Sequence, residues 1–244
     1  MVTIFFTPLS SFSISSIEIH FWGLMASLGI IIGLVFLWLT TKKYKIKFDH
    51  LLNITLLVVV LGFIGARLLY VILENNSFTS PWQILSLWDG GLALYGGLVL
   101  AIFGGIIYCK KNKIKVLEAS DIFTPAAVLG IAIARIGCLL VHDHLGKLSD
   151  LPWSINADGI SRHPVSGYYL LSLIVLFIIL LFLGKKYSQK VGFITFFALS
   201  WYSGFRFLID FFRDFEGRTE VFVINQIFLG VVFIISLYFL LRKK

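Results

Sequence analysis

Charge is scarce in this chain: Asp, Glu, Lys and Arg supply 14% of its 244 residues, where a soluble domain carries about a quarter. A polar surface facing water on every side is thereby excluded. Cysteine is scarcer still, with only Cys109 and Cys138. They fall at opposite ends of apolar segments, so no disulfide is expected, and neither CxxC nor zinc-ligand spacing is present. No metal, cofactor or nucleotide signal and no tandem repeat is found. Met1 to Ser16 lacks a basic stretch, and the first apolar run continues to a full span, so no cleavable signal peptide is expected. Acidic residues number 13 against 21 Lys and Arg, a net charge of +8. That excess does not point to nucleic acid, because the lysines cluster in short loops between apolar runs.

Hydrophobic residues, by contrast, make up 58% of the chain, and its mean hydropathy is +0.92. Several segments run 18 or more residues with few charges, long enough to cross a bilayer. Seven helices are expected, at about Ile19–Thr40, Leu51–Leu73, Leu92–Cys109, Asp121–Val141, Val165–Leu183, Val191–Phe212 and Phe222–Leu241. The expected fold is an all-α integral membrane domain over residues 1–244, with a short external segment at about 142–163. Lys42 to Lys47, Lys110 to Lys115, Lys185, Lys186, Lys190 and the Arg242–Lys244 tail hold 14 of the 21 basic residues. They occupy alternate loops, which places the N-terminus outside and the C-terminus in the cytoplasm.

Three arginines sit inside the apolar segments: Arg67, Arg135 and Arg206. An arginine at mid-membrane costs about 2.5–3.5 kcal/mol on insertion scales, so each needs a partner. With the orientation above, all three fall toward the outer leaflet, together with Trp22, Tyr95, Cys138, Asp143 and Asp210. A phospholipid head group is the anionic partner that fits. Arg206 and Asp210 are four apart and share a helix face, so they either neutralise each other or build a site. Arg67 either snorkels to the interface or serves the site, whereas Arg135 has no acid at helical spacing within the membrane. Trp22 and Tyr95 fit an interfacial aromatic belt as well as a site. His142, His144 and His163 fit a solvated loop, or one of them takes a proton at neutral pH. Gly90-Gly91 and Gly96-Gly97 suit tight helix packing, or close approach of backbone to an anionic head group. A seven-helix transporter fits less well, because its polar groups would lie near the midplane.

The order of motifs resembles one family. Arg135-Ile136-Gly137-Cys138, followed by Asp143 and Gly146, resembles the RIGN–acid–glycine stretch of the prolipoprotein diacylglyceryl transferases. Leu151-Pro152-Trp153, Arg162-His163-Pro164 and Tyr168 resemble that family's DLPW, RHP and following tyrosine. Upstream, Trp88-Asp89-Gly90-Gly91 with Tyr95-Gly96-Gly97 resembles W-[ED]-GG…HGG, and Gly65-Ala66-Arg67 with Tyr70 resembles GGR…Y. Downstream, Gly204-Phe205-Arg206 with Asp210-Phe211-Phe212-Arg213 resembles GR…EFFR, and Gln226 matches a glutamine opening the last helix. The chain departs from the pattern at Tyr95 (histidine in the family), Cys138 (asparagine), Trp22 (tyrosine), and Asp143 and Asp210 (glutamates).

The resemblance implies transfer of a diacylglyceryl group from phosphatidylglycerol to the cysteine thiol of a prolipoprotein lipobox, in a bacterial inner membrane. It assigns Arg135 to the donor phosphate, with Arg67, Gly90, Gly91, Gly137, Cys138 and Gly146 around the lipid. Arg206, held by Asp210, takes the leaving group. The proton acceptor is left among Tyr95, Asp143, His142 and His144. A phospholipid-binding protein of the same fold without transfer activity is the alternative.

Overall fold

The computed structural model describes residues 8–14, 17–42, 44, 46–74, 80, 82–83, 91–157, 159–186, 190–215 and 217–242. Trp88, Asp89 and Gly90 lie outside the described residues. Among those described, seven long α-helices form: α1 Phe21–Thr41, α2 Phe48–Leu73, α3 Leu94–Lys111, α4 Val116–Leu140, α5 Val165–Lys186, α6 Phe193–Ile209 and α7 Thr219–Arg242. Six are long and apolar enough to cross a membrane. The seventh, α6, has 17 residues and continues as a 3-10 turn, Asp210–Phe212. Two antiparallel strand pairs accompany the helices: β1 Ser11–Ile14 with β2 Ile17–His20 ahead of α1, and β3 Ile155–Ala157 with β4 Ile160–Arg162 between α4 and α5.

Helix ends differ from expectation wherever hydropathy measures the apolar run rather than the helix. Ile19 and His20 belong to β2, so α1 starts at Phe21. α2 begins at Phe48, three residues early, with Asp49 in its first turn, and α3 runs on through Lys110 and Lys111. These charges suit the helix dipole at their respective ends, so the helix continues where the apolar run has stopped. α4 starts at Val116 and carries Pro125 inside it.

The chain forms two compact units, Leu37–Ala119 and Met1–Phe36 with Ser120–Lys244. In the first unit α2 and α3 pack through glycine. A Cβ on Gly97 would stand 2.6 Å from the Gly62 carbonyl oxygen, and one on Gly96 would collide with the Gly65 carbonyl. The Ala93 amide donates to the Ala66 carbonyl at 2.9 Å. Gly96-Gly97 therefore serve close helix approach, the small-residue packing of membrane helices.

In the second unit the core is Val128 and Ala132 of α4, Leu173, Leu176 and Leu180 of α5, and Ile194 and Ala198 of α6. α1 crosses α4 at glycine, where a Cβ on Gly130 would lie 2.9 Å from the Gly29 oxygen. Asp121 of α4 caps the start of α6. Its carboxylate accepts from the Gly192 amide, from the Thr195 amide at 2.9 Å and from the Thr195 hydroxyl at 2.6 Å. An anion at a helix N-terminus satisfies orphan donors and complements the dipole.

Candidate active site

In the second unit, Arg135 sits near the end of α4. Its Cζ lies 5.0 Å from the centroid of the Tyr169 ring on α5, and its Nη1 lies 3.8 Å from Cys138 Sγ. No carboxylate among the described residues lies within ion-pair distance of it. Arg206 of α6 reaches the same ring, with Cζ 5.9 Å from the centroid, and donates to the Tyr202 hydroxyl at 2.7 Å. One turn on, Asp210 is fully buried, and its Oδ1 accepts from the Tyr169 hydroxyl. The Arg206–Asp210 pair suggested by their spacing is long, 3.9 Å between Nε and Oδ2. Neither of those two atoms has a hydrogen-bond partner.

Past the end of α4 the backbone is constrained. His142 and His144 both take positive φ, 54° and 59°, a conformation uncommon for non-glycine residues. The Asp143 amide is tied to the Cys138 carbonyl at 2.9 Å, and its own carbonyl accepts from the Ser166 hydroxyl at 2.7 Å. This geometry turns His144 Nδ1 to within 2.6 Å of the Asp143 carboxylate, without the alignment of a good hydrogen bond. Burial acts to raise the Asp143 carboxyl. Contact with His144 and the charge of Arg213 outweigh it and hold the group below the usual carboxylate range. Asp143 and His144 open, with Arg162, Arg213 and Arg218, onto a polar cavity of about 320 Å³. Arg162 is committed to Asp214 at 2.8 Å and to the Gly146 carbonyl at 3.1 Å, and Arg213 and Arg218 also line the cavity.

Gly146 is where three strands of chain meet. Its amide donates to the His163 carbonyl at 3.1 Å, and the next amide, of Lys147, donates to Phe212 at 2.9 Å. A Cβ would stand 2.6 Å from the His163 oxygen and 2.9 Å from that of Phe212. Gly137 likewise packs on α1, where a Cβ would lie 2.9 Å from that of Met25. Both glycines thus permit close packing of chain against chain.

The RHP stretch forms a relay of hydrogen bonds. The Trp153 indole donates to the Tyr168 hydroxyl at 3.0 Å, and that hydroxyl lies 3.1 Å from His163 Nδ1. The Tyr168 hydroxyl, which accepts from Trp153, can donate its own hydrogen to a neutral His163 at Nδ1. Burial pushes this imidazole below the usual histidine range. A lowered histidine favours the folded loop while neutral, so that stability is complete above the unfolded value, about 6.5, and falls away as pH drops through the folded one. Protection of the amides in 147–163, taken relative to the intrinsic exchange rate at each pH, should therefore fall from pH 7.5 to pH 5. His163→Gln, which cannot charge, should flatten that response.

In the first unit, Arg67 does not run to the surface but is buried. It donates to the Gly91 carbonyl at 3.0 Å and to the Gln83 carbonyl, and its Cζ lies 5.5 Å from the Tyr70 ring centroid. Gly91 has φ 73°, and a Cβ there would collide with the Tyr70 ring. Arg67 thus ties the carbonyls of Gln83 and Gly91 to α2. Tyr95 lies in the first turn of that helix, half-buried. Two structural contributors were not foreseen from the sequence: Tyr169 and Tyr202. Tyr202 is four residues from Arg206, a spacing that offered a signal. For Tyr169 nothing in the sequence separates it from its neighbour Tyr168.

Comparison with known proteins bears on this arrangement. A family model described as prolipoprotein diacylglyceryl transferase matches residues 10–242. The phosphatidylglycerol–prolipoprotein diacylglyceryl transferase of Finegoldia magna is 34% identical over 201 residues, covering 82% of this chain and 81% of that protein. The protein of the same name from Clostridioides difficile is 33% identical over 203 residues, 82% of this chain and 81% of its own. That from Geobacter sulfurreducens is 28% identical over 211 residues, 83% and 81%. The chain belongs to the prolipoprotein diacylglyceryl transferase family.

Proposed function

We propose that this protein transfers the diacylglyceryl group of phosphatidylglycerol to the cysteine thiol of a prolipoprotein lipobox, within a bacterial inner membrane. In the reaction a sulfur–carbon bond forms, the carbon–oxygen bond to phosphate breaks, and glycerol phosphate leaves. The thiol proton passes to a base on the protein. The observation that carries this reading is the pair of guanidiniums, Arg135 and Arg206, on one buried ring, with Arg135 uncompensated by any described carboxylate. Arginine keeps its charge and presents a fork that matches phosphate oxygens. Charge fixed in a dry site and aimed at a departing phosphate is the largest catalytic contribution to expect.

Arg135 takes the donor phosphate, with Cys138 and Gly137 beside it. Arg206, flanked by Asp210, takes the charge that develops on the leaving group. The 320 Å³ cavity with Arg213 and Arg218 accommodates the released glycerol phosphate, and Gly146 holds its wall. Asp143 orients His144, which leaves Nε2 to accept the thiol proton. Tyr95 is the competing base, on its position in the family pattern alone. A phenol with an ordinary pKa of about 10 is a poor base at neutral pH. The family pattern assigns Arg67 of α2, Gly90 and Gly91 to the lipid as well. The test is whether purified protein in phosphatidylglycerol vesicles adds a diacylglyceryl group to a lipobox peptide. Binding of the lipid with no transfer would favour the non-catalytic reading.

The lysine alternation supports seven crossings of one membrane domain, residues 1–244, with α6 among them, and a site that faces the outer leaflet. A reporter fused after Lys244 should read as cytoplasmic, and one inserted within residues 147–161 as external. The reverse pattern would place the site on the wrong side for an exported substrate.

A further inference from the structure

The geometry points to Tyr169 as a positioning residue that holds Arg135 and Arg206 as a two-armed phosphate cradle without neutralising either. Its ring is 4% exposed and is fixed by packing with Val165 and Ile209. The two guanidiniums lie within 5.0 and 5.9 Å of its centroid, inside the range in which an aromatic face attracts a cation. Two buried cations are usually held in place by carboxylates, and each carboxylate cancels a charge. A ring face attracts through its quadrupole and carries no net charge, so Tyr169 holds both arginines without adding an anion of its own.

The hydroxyl of the same residue acts on the Asp210 carboxylate. It donates to Asp210 Oδ1, and Asp210 Oδ2 stays 3.9 Å from Arg206 Nε, with neither atom hydrogen-bonded. Tyr169 therefore holds the cations by its ring and restrains the carboxylate by its hydroxyl. The ligand for such a cradle is a phosphodiester or phosphomonoester, and the inference rests on the phospholipid reading of this site.

The test replaces Tyr169 by phenylalanine and by phenylalanines with one, two and three ring fluorines, which weaken the quadrupole at nearly constant shape. Affinity for phosphatidylglycerol is read by native mass spectrometry, which needs no turnover, and KM and kcat are read where transfer occurs. Relative to Tyr169→Phe, affinity should fall and KM rise stepwise, reaching about ten-fold at three fluorines, with kcat changed less than KM. A flat affinity across the series overturns the inference, as does a falling melting temperature with unchanged affinity. A stepwise loss of binding in a protein that shows no transfer keeps the inference and overturns the transferase reading.

Discussion

Replacing Arg135 with Gln should abolish diacylglyceryl transfer, with a loss of at least about a hundred-fold in rate, the scale found when one charge-stabilising donor is removed from an active site. The guanidinium rests on the Tyr169 ring and near the Cys138 sulfur, neither of which is an anion. Removing it leaves no buried carboxylate stranded, so the folded protein should survive the change, unlike the usual case of a broken buried ion pair. A melting temperature within a few degrees of wild type, measured in detergent, checks this. Arg135→Lys should recover part of the activity, because it restores the charge but not the fork. Full activity in Arg135→Gln would remove the phosphate from this residue.

His144→Gln should cost about a hundred-fold or more in kcat, within the range of a lost general base. The support is the turn that sets its Nδ1 against Asp143 at 2.6 Å. Asp143 stays ionised because its carboxyl is held below the usual range; it orients the ring and is itself too weak a base to take a thiol proton. A histidine base gives a wild-type rate that rises through about pH 6–7, whereas a tuned phenol gives a rise at higher pH. Tyr95→Phe separates the two. It should retain most of the rate and the same pH profile if His144 is the base. A large loss in Tyr95→Phe, with Tyr95→His active, moves the base to α3.

Hydropathy made the seven helices legible, because a bilayer demands a run of about 20 apolar residues whatever the neighbours are. It did not make their ends legible, as α2 and α4 show by starting upstream of the apolar run. The three intramembrane arginines were legible through their cost, and the Arg206–Asp210 spacing through helix geometry. What each arginine touches was not. Arg67 donates to carbonyls 16 and 24 residues away, a partnership no periodicity carries. Tyr169 reads in the sequence as one of two adjacent tyrosines. Only the rotation of α5 turns Tyr169 onto the arginines and leaves Tyr168 to His163. Asp121 was hidden in the same way, since its partners at Gly192 and Thr195 lie on another helix.

The central claim is that one chain supplies both the phosphate cradle and the base for transfer to a thiol. The most direct measurement is a balance sheet of products, with purified protein in vesicles of phosphatidylglycerol and a peptide carrying a lipobox cysteine. The account predicts one thioether-linked diacylglyceryl peptide for each glycerol phosphate released, and neither product from a peptide whose cysteine is replaced by serine. Glycerol phosphate released without peptide modification, or lipid bound by well-folded protein with no product of either kind, would contradict it.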